Sequence, residues 1–143
     1  MSLTTEYTSW LKRLDSAVAS ALKNEVCEDA KQALSEQMDK VVYSYAASDW
    51  AMSTRRYDSG GLADKENFSD KYTGGNFSHE LTIEDVADFQ GTDASGTLIH
   101  VVETGAAGYR QPHPRPVMQE TQNELDGGRA SGVMAAALKS RGF

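Results

Sequence analysis

The sequence predicts an α+β fold made of a long N-terminal helix, a small antiparallel β-sheet and a C-terminal helix. Three observations lead there. Apolar residues recur at steps of three and four from about residue 3 to residue 45. Two β-patterned stretches follow at 77–84 and 97–103, and a proline-led amphipathic segment begins at Pro116.

The first element carries Tyr7, Leu11, Leu14, Val18, Leu22, Val26, Ala30, Leu34, Met38, Val42 and Tyr45 on one stripe, with no proline or glycine to interrupt it. One straight helix over 3–45 spans on the order of 60 Å. That length predicts that part of the stripe packs on something outside its own domain. The four-residue steps from Val18 to Ala30 make the stripe drift round the helix, so a break or bend near Asn24 is the alternative.

Residues 46–76 are rich in loop formers, among them Asp58, Gly60, Gly61, Asp64, Gly74, Gly75 and Asn76, and read as an extended loop ordered mainly by partners. The sheet is expected within 77–104. Phe77, Leu81 and Ile83 alternate with Ser78, Glu80, Thr82 and Glu84, the pattern of a half-buried strand. The stretch 97–103 (TLIHVVE) suits a more central strand, joined to the first by a turn over 91–96 as an antiparallel hairpin. Residues 105–143 hold a proline loop and the C-terminal helix. Pro116 is expected at the first helical position, before a stripe of Val117, Met118, Thr121 and Leu125. Gly127-Gly128 should stop that helix, and 133–138 suit a last short one.

Length and composition bound the function. At 143 residues the chain is one domain, 1–143, and its 39% apolar and 24% charged residues are ordinary for a soluble globular protein. A membrane span is not expected, since no apolar run is long enough, nor a secretory leader, since the N-terminus lacks a basic-then-apolar pattern. The net charge of −7, with Lys and Arg spread thinly and adjacent only as Lys12-Arg13 and Arg55-Arg56, argues against binding DNA through its phosphates. An acidic surface past which DNA slides remains allowed.

Candidate chemistry is sparse. One cysteine and three scattered histidines make a zinc site improbable. Cys27 sits among Glu25, Glu28 and Asp29, which disfavour its thiolate, and reads as a small buried apolar residue. His79 falls on the apolar side of its strand as a partly buried core residue. His100 and Glu103 point to opposite faces and cannot share a metal. Gly105–Gly108 lacks the Lys-Ser/Thr of a phosphate loop. No catalytic, metal-binding or cofactor-binding residue is assigned, no cofactor is expected, and an enzyme is disfavoured. Trp10 lies on the helical stripe, where core or subunit packing is the default. Trp50 is a better interface anchor because aromatics dominate interface energetics.

The order of short motifs carries a resemblance. Asp58-Ser59-Gly60-Gly61-Leu62 follows the long helix, Val102-Glu103-Thr104-Gly105 ends the second strand, and Pro114-Arg115-Pro116-Val117-Met118 leads into the last helix. In this order the chain resembles the tail-completion proteins of long-tailed bacteriophages, also called head–tail joining or neck proteins. It departs from their pattern by one extra glycine in the first motif, by Thr104 in place of an aromatic and by Val117 in place of Phe. The departures at Thr104 and Val117 leave related neck and tail-terminator families open.

The resemblance implies a non-enzymatic virion protein, assembled in the host cytoplasm and placed in the neck. Six copies would form a ring between a head-side connector or head-closure protein and a tail-side terminator or tail tube protein. DNA would pass through without specific binding. Contacts with neighbouring subunits or rings are then expected from Trp50, Arg55, Arg56 and Tyr57 in the long loop and from Tyr109, Arg110, His113 and Arg115 around the proline loop. Arg115, fixed between two prolines, is presented for a carboxylate. A tail terminator or head-closure subunit is the near alternative. An acidic inhibitor module binding a basic partner is the alternative from another class.

Overall fold

A computed structural model of the chain describes residues 2–38, 40, 65–86 and 116–143. Its central element is the expected rod. Helix α1 spans Leu3–Ala21, a π-helical turn spans Leu22–Val26, and helix α2 spans Cys27–Met38. The junction residues keep right-handed helical angles, so the axis is continuous from residue 3 to residue 38. Ser2 caps its start, its hydroxyl accepting from the Thr5 N–H at 3.3 Å.

The alternative of a break near Asn24 takes the form of this widened turn, and the apolar spacing explains it. Three successive four-residue steps from Val18 to Ala30 would carry the stripe about 120° round an ideal α-helix. A π turn accommodates one extra residue and sets the stripe back by about 100°. Val26 and Ala30 consequently remain buried on the same side as Ala21. The last residues of the predicted helix, 41–45, lie outside the described residues.

The expected strand over 77–84 is present as β2, Ser78–Asp85, but its described partner differs from the expected one. It pairs antiparallel with β1, Phe68–Gly75, in full register from Phe68 opposite Asp85 to Gly75 opposite Ser78. Residues 68–75 therefore correct the loop assigned to 46–76, and Lys65–Asn67 form a 3-10 turn ahead of them. Phe77 is not the first residue of the strand. It shares the connecting turn with Asn76, with φ of 64° and 50°. Positive φ at both central residues is the type I′ pattern, whose twist matches that of the flanking strands. The remaining alternation holds: His79, Leu81, Ile83 and Asp85 face the body while Ser78, Glu80, Thr82 and Glu84 face water. The expected strand 97–103 and its turn lie outside the described residues.

The C-terminal part contains helix α3, Val117–Glu124, and helix α4, Ala130–Ser140, joined through a turn over Leu125–Arg129. Pro116 stands just outside α3 rather than at its first position, with ψ of 63°, which is not helical. The expected stop at Gly127-Gly128 is a kink: Gly128 has φ of 117°, open to glycine and strained for other residues. The chain then re-enters a helix, longer than the short one expected at 133–138.

Both parts pack on the rod, α3 against α2, α4 against α1 and the widened turn, and β2 against α2. The core centres on Leu34, Met38 and Val117, all fully buried. Small residues set the closest approach, since Ala17 and Ala21 of α1 and Ala137 of α4 are buried where those helices run together.

Candidate functional site

Two polar locks fix the frame. In the first, Arg129 at the kink reaches three carboxylates. Its Nε and Nη2 donate to Asp29 at 2.8 and 3.1 Å, while Nη1 donates to Glu36 at 2.8 Å and to Glu124 at 2.7 Å. Gln37 adds a bond to Glu124 at 2.7 Å. Asp29 foremost, with Glu36 and Glu124, holds the guanidinium firmly in its charged form. In return the Glu36 and Glu124 carboxyls are drawn below their ordinary range, by the bond from Arg129 and by that from Gln37 respectively. This clasp ties α2, α3 and the kink together.

The second lock joins the rod to the hairpin. His79 Nε2 lies 2.6 Å from Asp15 Oδ1, and its Nδ1 lies 2.7 Å from the Tyr72 hydroxyl. A carboxylate can only accept, so Nε2 carries a hydrogen and donates. In the neutral ring Nδ1 then accepts from Tyr72. A methyl group at Gly74 would stand 2.2 Å from the Tyr72 hydroxyl oxygen, so only glycine lets the tyrosine lean across to His79. Lys23 lies over the same ring, 4.3 Å from its centre. The trio positions α1 against β1 and β2. His79 is mostly buried, as expected of it.

Cys27 also matches its expectation. It is buried and free. Its thiol is pushed up chiefly by burial, with Asp70 and Glu28 adding to the effect and Lys31 opposing it. Among the described residues no group of three or more His, Cys, Asp or Glu side chains could hold a metal ion. No described helix is long and apolar enough to cross a membrane.

The arrangement that points outward is at the N-terminal end of the rod. Leu3 is 85% exposed, Tyr7 62% and Trp10 42%. Tyr7 stacks on Trp10 with ring centres 6.4 Å apart, and Trp10 meets the ring of Phe143 at 6.1 Å. Residues 2–10 are all exposed, so this end of α1 lies outside the core, although Phe143 reaches Trp10. Large apolar side chains left exposed on a helix make this end of the rod a candidate docking surface. Trp10 was legible as a stripe residue with packing as its default. Its position beyond the reach of the core is what the stripe alone did not reveal. Phe143 joins it because α4 runs back along the rod, with Arg141 paired to Glu25 at 2.8 Å.

None of the expected interface residues can be placed against this patch. Trp50, Arg55, Arg56, Tyr57, Tyr109, Arg110, His113 and Arg115 all lie outside the described residues. The same holds for the motifs at 58–62 and 102–105 and for His100.

Comparison with known proteins shows a family. A family model described as YomN matches residues 8–141, nearly the whole chain. No curated protein and no solved structure matches it.

Proposed function

This chain belongs to the YomN family, whose name is that of a phage-derived gene and marks a phage-associated protein, and we propose that it is a non-enzymatic subunit of a long-tailed phage neck. In this reading, copies of it form a six-membered ring that completes the tail and joins it to the DNA-filled head. The ring sits between a head-side connector or head-closure protein and a tail-side terminator or tail tube protein. DNA passes through its bore, repelled by the acidic balance of −7 rather than held.

The observation that carries the reading is the rod end bearing Leu3, Tyr7 and Trp10, a large apolar surface directed away from the chain's own core. A protein completed by neighbours needs such a surface, whereas an enzyme needs convergent polar groups. Further neighbour contacts are assigned to Trp50, Arg55, Arg56 and Tyr57 and to Tyr109, Arg110, His113 and Arg115. The order of the short motifs, with Pro114-Arg115-Pro116 before α3, favours the tail-completion role over a terminator or head-closure role.

The test is infection with a phage lacking the gene. Filled heads and finished tails should accumulate unjoined under the electron microscope, and supplying the protein should join them. Normal particles from the deleted phage would refute the proposal.

A further inference from the structure

A groove opens over the middle of the rod. Leu22 and Val26 of the rod line it, together with Leu81 and Ile83 of β2 and with Met118 of α3 and Leu125 of the turn that follows. Its volume is about 230 Å³, and an apolar cavity of about 150 Å³ already takes a benzene ring. The groove therefore has room for one large side chain with a ring. Gln122 and Asp126 also line it, so a hydroxyl at the end of that ring would find hydrogen-bond partners there.

The rod end offers such a side chain. Phe143 meets the Trp10 ring, so the free part of this end is Leu3 and Tyr7, one turn apart on one side of α1 and 85% and 62% exposed. Tyr7 precedes Leu22 by about 22 Å along the same rod, so it cannot enter the groove of its own chain. Charge selects a second copy as the receiver. In a chain of net charge −7, residues 3–13 hold Lys12 and Arg13 against the single acid Glu6. The groove is lined by Asp126 and, among the described residues, by no lysine or arginine. Arg13 flanks the Leu3–Tyr7 side, about 80° round the helix from Leu3. Arg13 and Asp126 are both exposed, and neither enters an ion pair among the described residues.

We infer that Leu3 and Tyr7 of one copy seat in the groove between β2 and α3 of the next, with Arg13 of the first paired to Asp126 of the second. The two surfaces lie on different parts of the chain, so the contact is head-to-tail and repeats from copy to copy, which is how a ring closes. This rests on the ring part of the neck reading and names the socket that receives the rod end.

The experiment measures the mass of the full-length chain in solution across a concentration series, for the native protein, for Tyr7→Glu and for Met118→Glu. Tyr7 is exposed, and Met118 lies in the first turn of α3, where an acidic residue suits the helix; circular dichroism checks both folds. The native chain should form species of more than two copies, and each variant alone should stay at 15.6 kDa. Mixed together, the two variants should form a pair of twice that mass and nothing larger, because one intact rod end and one intact groove remain between them. At the rim, Asp126→Arg should weaken native association by roughly tenfold, and adding Arg13→Asp should restore it to within about threefold. This rim pair carries the test if Met118→Glu does not fold. A native monomer at every concentration overturns the inference. So does a mixture that stays monomeric, or association that survives Tyr7→Glu or is indifferent to Asp126→Arg. A Met118→Glu chain that melts lower but still associates shows the groove filled by a segment of its own chain, and overturns it too. Association is read on the purified protein and the neck role on particles, so either can fail alone.

Discussion

Replacing Arg129 by Met removes the centre of the clasp while keeping an unbranched apolar stem of similar reach. The guanidinium makes four hydrogen bonds to three carboxylates, with its side chain 21% exposed and theirs 26%, 40% and 30%. Fully buried pairs of this kind cost about 3–5 kcal/mol to break, and exposed ones about 0.2–1. Three half-screened pairs at about 0.5–0.7 kcal/mol each give about 2 kcal/mol. The mutual repulsion of Asp29, Glu36 and Glu124, left facing a vacated centre, raises the loss to about 2–3 kcal/mol. For a chain of this size that lowers the melting temperature by on the order of 10 °C. Urea denaturation followed by circular dichroism measures the loss directly. The repulsive part has its own signature: 1 M salt, or a pH low enough to protonate the carboxyls, should narrow the gap between variant and native. A variant within about 0.5 kcal/mol of native at neutral pH and low salt would refute the argument that the clasp holds α3 and the kink to α2.

Three further outcomes follow. Phe77→Gly should stabilise the fold by about 1 kcal/mol, because Phe77 holds a positive φ with its side chain 61% exposed and Asn-Gly is the favoured type I′ pair; an unchanged or lower urea midpoint contradicts this. Ala21→Leu should cost about 1–3 kcal/mol by overpacking the closest approach of α1 and α4, read in the same melts, and a neutral result means that contact is loose. The carboxyls of Glu25, Glu36 and Glu124 all lie below their ordinary value of 4.5, so they stabilise the fold at pH above that value and the contribution is lost as pH falls through their lowered range. Melting temperature should therefore drop steadily from pH 5 to pH 3, and a flat or rising profile would count against these pairs.

What the sequence disclosed depended on how local the cause was. The rod was legible because its stripe repeats along one element, and even the widened turn was foreshadowed by the four-residue steps around Asn24. Strand β1 was not. Phe68-Ser69-Asp70-Lys71-Tyr72-Thr73-Gly74-Gly75 has two apolar side chains and two glycines, so it reads as loop by composition. It forms a strand because β2 supplies a full ladder, because Tyr72 leans over Gly74 to His79, and because Lys31 of α2 holds Asp70 at 2.6 Å. The turn was hidden by Phe77, which stands where glycine would have announced a hairpin. The clasp was out of reach for a different reason. Arg129 meets Asp29 and Glu36, 100 and 93 residues away, and no spacing rule joins such distant charges. The candidate site was half legible. Tyr7 and Trp10 could be placed on the stripe, but that both stay exposed, with Phe143 reaching only as far as the Trp10 ring, depends on how the distant C-terminus packs along the rod.

The protein content of purified, DNA-filled particles of the phage that encodes this chain tests the central claim most directly. Quantitative mass spectrometry should find the chain at a fixed low copy number, near six per particle, and an averaged particle map should place it at the junction of head and tail. A chain abundant in the infected cell and absent from those particles would contradict the claim.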